Sequence, residues 1–234
     1  MRTVLLAALA SILCCAAAAA QALTVDLGLV NASGNANFLS FNMGEKYSHT
    51  FGPRFTLGEN LKVLYGKTEG KTTTESYDVG VRGDYSLTQR VAVFGLVRYQ
   101  RDPFAGLAER WFGGPGASFN AIQSPRDTLR VESGLTSQSE RSTANVTQTF
   151  GAARTAAGYK HLFAAKSYFT EVFEWVANLK TSEDQRLNSE TALTAPLSTQ
   201  IGLRLSYVVR FDNQPEPGFK KTDRILTTGV QIAF

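Results

Sequence analysis

By residue type, the side chains best suited to general-base or metal chemistry are the two histidines, His49 and His161. Such a histidine works through partners held within ligand or hydrogen-bond reach. Both fall at predicted turns, far apart along the chain, and read as loop histidines. No serine, histidine and asparagine come together locally as a membrane-bound phospholipase would need, and no phosphate loop, nucleotide fingerprint or metal-ligand spacing appears. Both cysteines, Cys14 and Cys15, sit in the apolar leader, so the rest of the chain has no thiol for catalysis, a disulfide or zinc. The expectation is a protein that is not an enzyme and takes no cofactor or metal.

What does recur is charge at alternate positions: Asp78, Arg82 and Asp84, Arg98 and Asp102, Arg130 and Glu132, then Arg204, Arg210 and Asp212. On extended strands a spacing of two puts such residues on one face. A face crowded with both signs can line a polar passage, or close it by pairing across it.

The elements that must carry these charges are strands. Tyr77, Val79, Val81, Tyr85 and Leu87 alternate with Asp78, Gly80, Arg82 and Asp84; Val91, Val93, Val97 and Tyr99 alternate with Arg98, Gln100 and Asp102. Ile201, Leu203, Leu205, Tyr207, Val209 and Phe211 face away from Arg204, Ser206, Arg210 and Asp212. Similar stretches, bounded by turn residues, predict twelve strands, with ten as the alternative count. A strand near 147–160 is weakly marked. In the next, near 166–180, Glu171 shares the face of Phe169, Phe173 and Trp175 while Glu174 lies opposite, which calls for a bulge or another register. Connections after the third, fifth, seventh, ninth and eleventh strands are expected to be mostly longer than those after the fourth, sixth, eighth and tenth, with exposed loops near 103–109, 137–144 and 215–221.

Met1-Arg2, the apolar run Val4 to Ala20 and the Ala20-Gln21-Ala22 site read as a secretory signal peptide, residues 1–22, cleaved after Ala22. Residues 23–234 then form one domain. Beyond residue 22 no apolar run is long enough for a spanning helix, whereas strands of about 9–11 alternating residues can cross a bilayer with little hydropathy signal. The formal charge of +4 is spread without a basic block, which gives no case for nucleic acid. Alternation alone does not choose between a soluble barrel and a membrane barrel. The crowded polar face, aromatic residues near strand ends (Tyr65, Tyr77, Tyr85, Tyr99, Trp111, Phe119, Tyr207 and Phe211) and the terminal aromatic favour an all-β, antiparallel, up-and-down transmembrane barrel in a bacterial outer membrane.

Gly34-Asn35, Asp102-Pro103-Phe104 leading to Arg110, Asp212-Asn213-Gln214-Pro215 and Lys220-Lys221-Thr222-Asp223 together make the chain resemble the DUF481 family, often called salt-induced outer membrane proteins. That resemblance implies an integral outer-membrane barrel and little about activity. Thr227, Gly229, Ile232 and Phe234 also resemble the terminal β-signal of outer-membrane proteins. This likeness implies recognition by the barrel-assembly machinery after transit on periplasmic chaperones, with outer-membrane lipid as the final partner. The function expected is a narrow channel for small polar solutes or ions linked to osmotic or salt response; the alternative is a non-conducting structural or adhesive barrel with a side-chain-filled lumen. Phe234→Asp is expected to lower the amount of protein in the outer membrane, measured by fractionation and heat-modifiable gel migration; an unchanged level would remove the assembly-signal reading.

Overall fold

The computed structural model describes residues 21–32, 38–163 and 167–233. Most of the expected signal peptide, the Gly34-Asn35 turn and the terminal Phe234 lie outside the described residues.

Twelve strands follow in order: β1 (Gln21–Ala32), β2 (Phe38–Phe51), β3 (Phe55–Thr68), β4 (Lys71–Ser86), β5 (Val91–Asp102), β6 (Leu107–Gln123), β7 (Asp127–Ser142), β8 (Thr147–Leu162), β9 (Tyr168–Asn178), β10 (Gln185–Pro196), β11 (Ile201–Asp212) and β12 (Thr222–Ala233). Each strand pairs antiparallel with the next, and β1 meets β12, so the sheet closes into a barrel. The seam has four registered pairs, Thr24 with Ala233 through Leu27 with Val230. Gly229 stands there because a Cβ would run into the Leu27 carbonyl oxygen and lie 3.3 Å from the Gly28 Cα. Ile232 pairs with both Val25 and Ile201, and Thr227 with Ser206.

Burial is inverted relative to a soluble barrel. Apolar side chains on alternate positions of β4, β5, β7 and β11 face out, among them Val81, Val97, Leu135 and Leu203, while Ser76, Asp78, Gln138 and Ser206 between them are buried. Val97 is 57 % exposed and Asp78 6 %. In water that distribution would be unstable; with lipid outside it is the expected one. Exposed Trp111, whose ring lies 4.8 Å from that of Tyr99, belongs near the loop end, and exposed Tyr85 and Phe119 near the end that carries both chain termini. Aromatic residues at the two interfaces of a membrane take these places.

Three expectations are corrected. The ninth strand has no bulge in its pairing with β8 or β10. Its phase is regular: Glu174 points in, while Glu171 points out and is satisfied there by the hydroxyls of Ser189 at 2.6 Å and Thr191 at 2.5 Å. The connection after β3 is a two-residue hairpin rather than a loop, with Glu69 and Gly70 at φ 51° and 75°; positive φ at both positions matches the twist of paired strands. The expected loops near 103–109 and 137–144 shrink to 103–106 and 143–146, because β6 begins at Leu107 and β7 runs on to Ser142. Polar residues on both faces of Ser137 to Ser142 hide that strand from an alternation search, yet the segment stays paired with β8 through Arg141 and Thr147. Loop length therefore marks the two ends only at 179–184 and 213–221.

Val97 stands mid-strand on the outer face of β5. Val97→Arg is expected to lower folding free energy in lipid vesicles by about 2–4 kcal/mol, read by urea titration. A loss below about 0.5 kcal/mol, usual for a water-exposed site, would contradict a lipid-facing position.

Candidate functional site

All ten alternating charges singled out in the sequence point into the barrel, because strand parity gives every side chain of one phase to the lumen. Closure then brings together residues far apart in sequence. Arg98 on β5 grips Asp78 on β4 through Nε at 2.6 Å and Nη2 at 2.5 Å, while Gln100 donates to the same carboxylate at 3.0 Å. From Arg98 the chain of charge crosses the lumen to Glu174 on β9, at 3.5 Å, and Glu174 accepts from Arg154 on β8 at 2.7 Å. Arg154 reaches Glu132 on β7 at 3.1 Å, and Glu132 is met from across the lumen by Arg82 on β4 at 2.8 Å. Arg82 forks onto Asp84, which also accepts from Arg130. Eight side chains of alternating sign thus run from β4 through β5, β9, β8 and β7 and back to β4.

A second crossbar lies beside it. Lys62 on β3 bonds Glu190 on β10, and Glu190 also accepts from Arg204 at 2.9 Å. Asp26 is 3.7 Å from Arg204 and accepts from Gln231 at 2.9 Å. Toward the loop end, Glu140 receives both Arg110 at 2.7 Å and Arg186 at 3.1 Å, and Arg210 on β11 reaches Asp102 on β5 at 2.9 Å. Asp212 accepts from the Gln214 backbone N–H at 2.9 Å.

Sequence reading missed Asp26, Lys62, Arg110, Glu140, Arg154, Glu174, Arg186 and Glu190 as lumen charges. Strand parity would have placed most of them, but the uncertain phase of β9 and the faint pattern of β8 concealed Glu174 and Arg154. Another feature had no sequence signal: inward phenylalanines lie beneath arginines, Phe94 under Arg82 at 3.9 Å, Phe150 near Arg186 at 5.5 Å and Phe112 near Arg98 at 5.7 Å. A guanidinium over an aromatic face gains from the ring quadrupole while its edge stays free for carboxylates. The rings thus flank arginines whose guanidinium groups still reach across the lumen.

The lumen is not filled. A cavity of about 290 Å³ toward the loop end is bordered by Asp78, Arg98, Arg110, Arg186, Arg210 and Lys220. Another of about 310 Å³ at the end with the termini is bordered by Thr24, Lys46, Lys160, Tyr168 and Arg204. A smaller space of about 100 Å³ beside Lys62, Glu190 and Arg204 adjoins both.

The histidines stand outside this interior. His161 Nδ1 is 2.7 Å from Asp127 Oδ1, which also accepts from the Tyr159 hydroxyl at 2.6 Å. His49 packs edge-on against Phe51, with ring centroids 4.2 Å apart. Five strands separate them around the wall, and among the described residues no three His, Cys, Asp or Glu side chains group as metal ligands do.

Among curated proteins the chain is similar to the uncharacterized protein YdiY of Escherichia coli strain K12, with 26 % identity over 210 residues, 88 % of this chain and 80 % of that one. Among solved structures it is similar to the NanC porin, with a TM-score of 0.52 at 8 % identity, covering 91 % of this chain and 97 % of the porin. Likeness at that identity speaks for the barrel fold. The model of a family described as protein of unknown function, DUF481, matches residues 25–234, and the chain belongs to that family.

Proposed function

We propose that this chain is an outer-membrane barrel that passes small polar solutes and ions through a narrow lumen, throttled where Lys62, Glu190 and Arg204 bridge β3 to β10 and β11. The carrying observation is the pair of polar cavities at opposite ends, which approach one another at that bridge. A barrel filled for structure alone would pack its interior, and twelve strands stand between the eight that side chains fill and the sixteen or so that leave an open channel. Lys62 keeps 41 % of its side chain exposed, so the bridge includes a flexible stem that solvent reaches. Its bond to Glu190 is half-buried, so bulk salt screens it only in part.

Cleavage after Ala22 would remove Gln21 and Ala22 from the ladder with β2 but leave the seam pairing, which begins at Thr24. An even strand count puts the start of β1 and the end of β12 on the same side of the membrane; a periplasmic side for them, with the long 213–221 connection outside, belongs to the same proposal. Delivery by periplasmic chaperones and the assembly machinery belongs to the same proposal, as does a lipid annulus around the exposed apolar face.

The second reading, a non-conducting structural barrel, is favoured by one feature: among the described residues, ion pairs join five pairs of strands at least three places apart, β3 and β10, β4 and β7, β5 and β9, β5 and β11, and β7 and β10. Single-channel recording in planar bilayers separates the two. The expected result is small unitary steps whose conductance rises at least twofold in a Lys62→Ala/Glu190→Ala double variant. Silence from both proteins at every voltage would leave the structural barrel standing.

A further inference from the structure

Every inward arginine along the lumen wall, and Lys62, finds a carboxylate, but two inward lysines do not. Lys46 on β2 and Lys160 on β8 border the 310 Å³ cavity at the end with the termini. Neither forms a salt bridge or side-chain hydrogen bond among the described residues; Lys160 instead rests over the Tyr168 ring, its Nζ 4.3 Å from the centroid. Arg204 adds a third cation, and Asp26, already shared with Gln231 and Arg204, is the one carboxylate on the cavity wall. Between the cations stand the hydroxyl-bearing Thr24, Thr128 and Thr170.

Closure puts these charges face to face. β2 and β8 lie six strands apart in a ring of twelve, so Lys46 and Lys160 approach the cavity from opposite walls. Like charges that share one cavity repel, and their repulsion is relieved when an anion enters between them. Tyr168 holds one of them in place: its hydroxyl bonds Gln231 on β12, three strands away, fixing the ring on which the Lys160 ammonium rests. The remaining wall offers hydroxyl donors rather than competing carboxylates.

We infer that this chamber is a binding site for small oxyanions, a phosphate or a compact carboxylate, held between Lys46, Lys160 and Arg204 with threonine hydroxyls donating to its oxygens. Ammonium groups serve as point-charge partners for such ions, while Arg204, already paired with Glu190 and near Asp26, adds positive charge to the wall. The inference goes beyond conduction: the site binds whether or not the lumen passes current, and in a conducting barrel it favours anions at the inner mouth.

The test uses the full-length mature barrel folded in detergent, with inorganic phosphate as the probe and chloride keeping ionic strength constant. Phosphate is expected to raise the urea unfolding midpoint in a saturable manner, since a ligand that binds only the folded state stabilises it. The Lys46→Gln/Lys160→Gln variant should need at least tenfold more phosphate for the same rise. Lys71→Gln, altered only at the exposed start of β4 beside the β3–β4 hairpin, should behave as wild type. Absence of any phosphate-specific rise in wild type, or an unchanged response in the Lys46/Lys160 variant, overturns the site. A separate bilayer measurement under a potassium chloride gradient should give an anion-selective reversal potential that moves toward cation selectivity in the same variant. Silence in the bilayer with an intact phosphate response defeats the channel reading alone; current with no phosphate response defeats this one alone.

Discussion

Hydrocarbon offers no partner to a peptide N–H or C=O, and that constraint organises the whole molecule. Every strand must be paired on both sides, so the sheet has to close, and the closing contact between β1 and β12 decides whether the other eleven pairings form one object. That seam is the thinnest junction in the barrel, four registered pairs against the fifteen that run from Asp127–His161 to Arg141–Thr147 between β7 and β8. Its glycines belong to the same constraint: a side chain at Gly229 would push β1 away at the point where the ladder has least to spare.

Closure has a second consequence inside. A ring of twelve strands turns half of all strand side chains toward a confined interior, and charges placed there have lost much of their water. Such charges are tolerable when paired and costly when one partner is missing. Alternation of sign in the chain from Asp78 through Arg98, Glu174, Arg154, Glu132, Arg82 and Asp84 to Arg130 meets that demand, and phenylalanines flank Arg82, Arg98 and Arg186. The crossing pairs also brace opposite walls, so the network that narrows the lumen is the one that holds it in shape. Against this balance Lys46 and Lys160 stand out, since they share a chamber with no carboxylate of their own.

Most of the fold was legible because period-two patterning is a local property. β4, β5 and β11 carry aliphatic and charged residues in strict alternation, and their inner faces follow from that alone. Legibility failed where locality failed. On β7, Ser137, Ser139 and Glu140 place polar groups on both faces, so the strand disappears from the pattern although its ladder to β8 continues. On β9, Glu171 sits among outward aromatics because Ser189 and Thr191 of β10 satisfy it, a partnership known only once the two strands are in register. The Glu69-Gly70 hairpin was lost because its length depends on where β3 and β4 stop pairing.

By itself, the sequence determined that the chain would be built of alternating strands, which residues would share a face, and that a catalytic constellation was not written into any local stretch. The tertiary structure decided how those faces were used. Whether Arg98 meets Glu174, or Lys62 meets Glu190, depends on strand number and on closure, which set the strands that oppose one another across the lumen; no spacing along the chain encodes that. The same geometry decided which cations were left over, because a lysine lacks a partner only with respect to the walls that surround it.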